Sequence, residues 1–104
     1  MKTIESITAE KIPVEITTSS DPTATPPDFA VGAVGINDPV TWVAGTWSGT
    51  WDTTTGRATA LSPLVGAGQA LNVTGVGATY RMWVRWHLLG GETPVYASGT
   101  LQVV

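Results

Sequence analysis

Hydrophobic and polar residues alternate with a period of two along much of the chain, and this period is typical of β-strands. Ile12, Val14 and Ile16 are separated by Pro13 and Glu15, so the three branched side chains are predicted to share one buried face. Pro13 lacks an amide hydrogen, which favours a position at a sheet edge or at the start of a strand. Nowhere does the spacing favour an amphipathic helix.

The same alternation, together with the turn residues, predicts the other strands. They lie around Ile4 and Ile7 and over 29–33, 40–51, 57–61, 70–73, 79–88 and 95–104. In 40–51, one simple register places Val43, Trp47 and Trp51 on one face and Trp42 on the other. In 95–104, the predicted faces are Val95, Ala97, Leu101 and Val103 against Tyr96, Ser98, Thr100 and Gln102.

Proline- and glycine-rich segments separate the strands. About seven to nine short strands with such turns predict an antiparallel β-sandwich in a single domain over 1–104, with a small β-barrel as the alternative. Two segments are predicted as long loops, 18–27 and 62–78, and shorter turns fall at 37–39, 52–56 and 90–91.

Composition limits the kinds of functional site that the chain can form. The 104 residues include no cysteine and one histidine, which excludes a disulfide scaffold, a cysteine zinc site and a thiol nucleophile. The net charge of −3 argues against nucleic-acid binding, which usually needs a basic patch. No apolar run is long enough for a membrane helix, and Glu5 and Glu10 interrupt any secretion signal, so we expect a soluble protein made in a cytoplasm.

Charge is unevenly distributed along the chain. The first 52 residues carry seven acids and two bases, whereas the remaining residues carry one acid and three bases. An acidic edge of one copy meeting a basic face of the next is one interpretation. A chance distribution over a solvated surface is the simpler and favoured one.

Candidate catalytic residues are sparse. His87 lies in a predicted strand between Trp86 and Leu88, without a nucleophile motif elsewhere, so a surface or interface histidine is favoured over a catalytic triad. Asp28, Asp38 and Asp52 lack the surroundings of a glycosidase pair. We therefore predict no catalytic, metal-binding or cofactor-binding residues, and an enzyme is the least favoured interpretation.

The segment TYRMWVRWHL carries the most informative pattern. Its alternation predicts an outward stripe of Arg81, Trp83, Arg85 and His87, and a tryptophan between two arginines is typical of an interaction hot spot. Alternatively, a neighbouring strand covers Trp83 and the arginine stems pack over it. Tyr80 is predicted to bond upstream backbone as a corner tyrosine. Among the tryptophans, Trp47 and Trp86 are predicted in the core and Trp83 on the surface.

Four segments carry a family resemblance that covers about Ile7 to Val104. ITAEKIPVEI, WVAGTW, GATYRMWVRW and the terminal GTLQVV resemble small immunoglobulin-like virion proteins of tailed bacteriophages, especially phages of actinobacteria. The resemblance implies an immunoglobulin-like sandwich without catalytic residues. It implies an adaptor or accessory protein at the head-to-tail connector, the capsid surface or the tail.

The implied partners are other virion proteins, namely the portal or connector, the capsid or the tail, with many copies per symmetric particle. Neither nucleic acid, a membrane nor a cofactor is expected as a partner. Pro13 and Tyr96 join Arg81, Trp83, Arg85 and His87 as predicted interface residues, because strands 11–17 and 95–104 are candidate sheet edges. A carbohydrate- or cell-wall-binding module is the alternative function, and it requires two exposed tryptophans on one surface.

Overall fold

The computed structural model describes residues 2–4, 9–33, 41–88 and 90–104, and these residues form strands joined by turns, with no helix among them. The chain is therefore all-β, as the alternation predicts. Its strands are β1 (Lys2–Ile4), β2 (Ala9–Glu10), β3 (Pro13–Thr17), β4 (Asp28–Ala33), β5 (Val43–Ala44), β6 (Thr46–Ser48), β7 (Arg57–Leu61), β8 (Val65–Gly66), β9 (Leu71–Asn72), β10 (Thr79–Arg85) and β11 (Val95–Val103).

The described strands are arranged in three sheets. The largest has the order β1-β11-β10-β4-β5, a second has the order β3-β7-β6, and a small third has the order β2-β8-β9. Neighbours are antiparallel except in two pairs, β1 with β11 and β8 with β9. The predicted turns at 52–56 and 90–91 are both present, and they connect β6 to β7 and β10 to β11.

One hydrophobic cluster joins side chains from all three sheets. Ile12, Val14 and Ile16 are all buried in it, which confirms the predicted face of this segment. Phe29 on β4 and Val84 on β10 lie opposite each other in the large sheet and are completely buried. The apolar face of the large sheet therefore packs on the apolar face of β3 and β7.

The chain passes from the large sheet to the β3-β7-β6 sheet at a single residue, Gly45. β5 ends at Ala44 in the first sheet and β6 begins at Thr46 in the second. The prediction of one continuous strand over 40–51 is therefore wrong. Residue 40, at its start, lies outside the described part of the chain. The predicted face assignment is confirmed, because Val43, Trp47 and Trp51 all pack against the core.

A β-bulge in β11 overturns the predicted faces of the last strand. Met82 pairs with Gly99, but the next residue, Trp83, pairs with Ala97, so Ser98 is left without a counterpart. Such an extra residue moves every following side chain to the other face. Leu101 and Val103 are consequently buried, whereas Val95 and Ala97, predicted to share their face, are exposed.

The segment predicted as a long loop at 62–78 is more ordered than its glycines suggest. It contains β9, close to the strand predicted at 70–73, and also β8, which the sequence did not predict. The predicted strand around Ile4 corresponds to β1. Ile7 and the predicted turn at 37–39 lie outside the described residues.

The hydroxyl of Tyr80 ties the end of this segment to β10. It donates a hydrogen bond to the Thr74 carbonyl at 2.9 Å and accepts one from the Thr74 amide at 3.2 Å. The two bonds span six residues of chain, and they confirm the predicted corner tyrosine.

Candidate interaction surfaces

Trp83 does not stand on the surface. Its side chain is 4% exposed, so the prediction of a surface anchor is wrong. Its neighbour across the sheet, Ala30, is fully buried, and the Arg81 guanidinium lies over the indole at 6.0 Å from the ring centre. The burial of Trp83 and its contact with Arg81 agree with the alternative interpretation, in which Trp83 is covered. Its second predicted arginine neighbour, Arg85, lies over Trp42 instead.

Arg85 and His87 converge instead on Asp28 at the start of β4. Arg85 Nε donates to Asp28 Oδ2 at 2.9 Å, and His87 Nε2 lies 3.1 Å from the same oxygen. Arg85 and Asp28 are register partners across β10 and β4, which explains why they meet. The guanidinium also lies 4.3 Å from the ring centre of Trp42, so its charge is held between a carboxylate and an aromatic face.

The carboxylate of Asp28 is the electrostatic centre of this cluster. Partial burial alone raises its pKa, but hydrogen bonds and charge from Arg85 and His87 outweigh that effect and hold the pKa below its ordinary value of 3.8. The side chain that His87 contacts in this cluster is Asp28, and no serine or threonine hydroxyl of the described residues bonds to the His87 ring. The chemistry of the cluster is that of an ion-pair network that orients Arg85.

We predict that Asp28→Asn destabilises the protein by about 1–2 kcal/mol at neutral pH, because Arg85 and His87 lose a charged acceptor. Since the folded pKa of Asp28 is depressed, its contribution is fully present above the unfolded pKa and disappears as the pH falls through the folded pKa. The variant should therefore lose less stability than wild type on acidification below about pH 4. Urea unfolding at several pH values measures both effects.

Glu92→Gln provides the matched control, because it removes one negative charge from an exposed residue on the β10–β11 turn. We expect it to change the free energy of unfolding at neutral pH by no more than about 0.5 kcal/mol. Parallel curves for Asp28→Asn and wild type across the acid range would contradict the assigned role of Asp28.

The uneven charge along the sequence is partly compensated within the chain. Asp28 pairs with Arg85, and Glu15 on β3 pairs with Arg57 on β7 at 3.5 Å. In both ion pairs, an acid of the first 52 residues meets a base of the remaining residues. Part of the asymmetry therefore reflects strand pairing in one molecule rather than contact between copies.

The other two predicted interface residues, Pro13 and Tyr96, line one groove. It lies between β3 and β11, has a volume of about 390 Å³, and has the buried side chains of Met82 and Leu101 in its wall. A second groove of about 280 Å³ adjoins it, with Glu15 and Tyr96 common to both linings and Trp86 in the wall. The Tyr96 side chain is 49% exposed.

Both strands that border this groove have a free edge within the described part of the chain. β3 is the outer strand of its sheet and pairs only with β7. β11 pairs with β1 only at Leu101–Val103, and no described strand pairs with its first half on that side. The predicted edge at β3 is confirmed, and the predicted edge at 95–104 is correct for its first half only.

The five tryptophans are all buried or half-buried, and none is among the exposed large side chains. The two exposed tryptophans on one surface that the carbohydrate-binding alternative requires are not observed. Trp86 lies in the core, as predicted, and Trp47 is half-buried and packs against the core cluster. The Trp47 indole donates to the Thr25 carbonyl at 2.8 Å, whereas the buried indole nitrogens of Trp51 and Trp86 have no acceptor among the described residues.

Sequence reasoning missed Asp28 and Trp42 as members of the Arg85 cluster. The signal for Asp28 is its register opposite Arg85, and this appears only once β4 is known to neighbour β10. The groove was missed for a similar reason. Pro13 and Tyr96 were each predicted at an edge, but the sequence did not indicate that the two edges face one another.

Within the described residues, no group of three or more histidine, cysteine or acidic side chains is arranged to hold a metal ion. The same residues contain no helix of the length and hydrophobicity required to cross a bilayer. Comparison with protein-family models, curated proteins and solved structures finds no match to the chain.

Proposed function

We propose that this chain is a non-enzymatic structural protein of a tailed-bacteriophage virion, an adaptor or accessory protein that acts through protein–protein contacts. The observation that carries the contact role is the groove between β3 and β11, where Pro13 and Tyr96 lie beside two free strand edges. Exposed strand edges are ready-made sites for pairing with another chain. The assignment to a virion rests on the resemblance of the ITAEKIPVEI, WVAGTW, GATYRMWVRW and GTLQVV segments.

We further propose an immunoglobulin-like sandwich as the fold. In a variable-type domain, one sheet contains the strands G, F, C and C′, and the other contains B, E and D. The orders β11-β10-β4-β5 and β3-β7-β6 correspond to these two sets. Tyr80 supports the proposal, because in such domains a tyrosine near the start of strand F bonds backbone a few residues upstream, as Tyr80 at the start of β10 does with Thr74.

The proposed location is the virion, at the head-to-tail connector, on the capsid surface or in the tail, after synthesis in the host bacterial cytoplasm. The partners are the portal or connector, capsid or tail proteins. Many copies in a symmetric particle would give useful avidity even if each contact were weak. No step of catalysis is part of this proposal.

Quantitative mass spectrometry of particles tests the proposal. We expect the chain in particles purified by gradient sedimentation and washed in high salt, at a copy number in fixed ratio to the major capsid protein. A phage enzyme expressed in the same infected cells, but not packaged, serves as the control for carry-over. Absence of the chain from washed particles, or a copy number that falls with each wash as the control does, would overturn the proposal.

A further inference from the structure

We propose that the groove between β3 and β11 receives an extended segment of a partner protein, which adds as a strand between the two free edges. This inference rests on the proposed contact function and specifies the chemistry of the partner. Strand addition derives affinity from main-chain hydrogen bonds and specificity from alternate side chains.

On the outer edge of β3, the backbone groups have no strand partner in the described part of the chain. Thr18 N–H donates to the Gly56 carbonyl, and Ser62 N–H donates to the Ile12 carbonyl. Because hydrogen-bonded pairs alternate in an antiparallel ladder, the even-numbered residues of β3 point their backbone groups at β7. The amides of Glu15 and Thr17 therefore point outward, toward the groove side.

The first half of β11 also has backbone groups that point outward from its sheet. Trp86 N–H donates to the Pro94 carbonyl, so Pro94 and Tyr96 direct their backbone groups toward β10. The amides of Val95 and Ala97 consequently point away from β10. Among the described residues, β1 pairs with this side of β11 from Leu101 onward, which leaves the edge before Leu101 available to another strand.

The two edges run in opposite directions along the groove. Residues 12–15 line it together with 98–101 of β11, whereas residues 15–17 line its continuation together with Tyr96. A strand placed between them would pair parallel with one edge and antiparallel with the other. On the side of β11, the added strand would continue the pairing that β1 makes with Leu101–Val103.

The inserted segment needs both of its own edges free, which excludes the strands that the structure describes as donors from a second copy. Every strand in the described part of the chain is already bonded to at least one neighbour. Pairing two copies edge to edge through β3 would also place Glu15 carboxylates close together, and like charges directly opposite are destabilising. An extended segment that belongs to no sheet of its own meets the requirement.

The lining of the groove indicates the side chains of that segment. Its wall contains the buried apolar side chains of Ile12, Val14 and Met82, which favour apolar residues at alternate positions. Among the described residues that line the two grooves, Glu15 is the only charged one, and its contact with Arg57 is long and exposed. A lysine or arginine on the segment beside Glu15 would complete the charge match.

Amide hydrogen exchange with synthetic peptides tests the proposal on the isolated full chain. The probes are short capped peptides in which valine, isoleucine or phenylalanine alternates with threonine around one lysine. We expect binding to slow exchange at Glu15, Thr17, Val95 and Ala97 by about tenfold or more, since each amide gains an acceptor. Peptides methylated at the backbone nitrogens of one edge form the matched control and should bind about tenfold more weakly.

Glu15→Gln separates the contribution of charge from that of shape. It should weaken binding of the lysine peptides several-fold and leave the affinity of lysine-free analogues unchanged. Equal affinity of methylated and unmethylated peptides, protection at other amides, or no protection by any peptide of the set would overturn the proposal. Sedimentation that shows a dimer whose formation protects these four amides would assign the groove to a second copy and also overturn it. All these readouts use the isolated chain, so they are independent of the copy number measured in particles.

Discussion

Replacing Phe29 with alanine is expected to cost about 3–5 kcal/mol of unfolding free energy, because the ring is completely buried. Phe29 lies between Val43 and Val84 in the large sheet, and its ring also faces the backbone at Gly45. A domain of this size usually has about 5–15 kcal/mol of stability in total. The variant should therefore unfold at much lower urea concentration, as monitored by tryptophan fluorescence.

Phe29→Leu and Tyr96→Ala are the companion variants, one milder at the same position and one at a half-exposed aromatic residue. The leucine keeps most of the apolar contact and should cost about 1.5 kcal/mol or less, which keeps the effect measurable if Phe29→Ala does not fold. Tyr96→Ala removes an aromatic ring that is about half exposed and should cost far less than Phe29→Ala. A loss below about 1 kcal/mol for Phe29→Ala would show that Phe29 is not central to the core.

Gly45→Ala is expected to destabilise the protein by about 3 kcal/mol, since an added methyl group has no room. A Cβ at this position would lie 2.5 Å from the Leu61 carbonyl oxygen and 2.7 Å from Phe29 Cε1. The first obstacle is backbone of β7 and the second is a buried ring, so neither can move cheaply. Urea unfolding again provides the measurement.

Gly90→Ala is the control for the general effect of replacing glycine. A Cβ there would meet nothing within 4 Å, and its backbone does not have a positive φ. We expect unchanged or slightly higher stability, by up to about 1 kcal/mol, from the reduced freedom of the unfolded chain. Similar losses of unfolding free energy for both variants would contradict a specific need for glycine at position 45, where the chain passes between the sheets.

Local patterns in the sequence predict much of the fold. The alternation around Pro13 correctly predicts the buried face of β3 and its edge position, because both depend on neighbouring residues alone. The turns at 52–56 and 90–91 follow from glycine and polar residues for the same reason. Tyr80 is recognised because its partner, Thr74, is close in the chain.

The errors arise where one residue alters a long-range arrangement. The bulge at Ser98 reverses the faces of Val95 and Leu101, and nothing in the alternation of 95–104 marks it except Gly99, which has a φ of +136°. Burial of Trp83 depends on neighbours that are distant in sequence, such as Ala30 on β4. The pairing of Asp28 with Arg85 depends on strand order, so the candidate site could be predicted only as separate residues.

The parallel pairing of β1 with β11 joins two strands that are far apart in sequence. Lys2 lies beside Leu101 and Ile4 beside Val103, with the two strands running in the same direction. Tension applied through the chain before β1 and after β11 would pull these strands past each other along their length. Their evenly spaced hydrogen bonds would then share the load simultaneously instead of breaking one after another. The molecule would resist stretching between these two points more strongly than a hairpin pulled open from its ends.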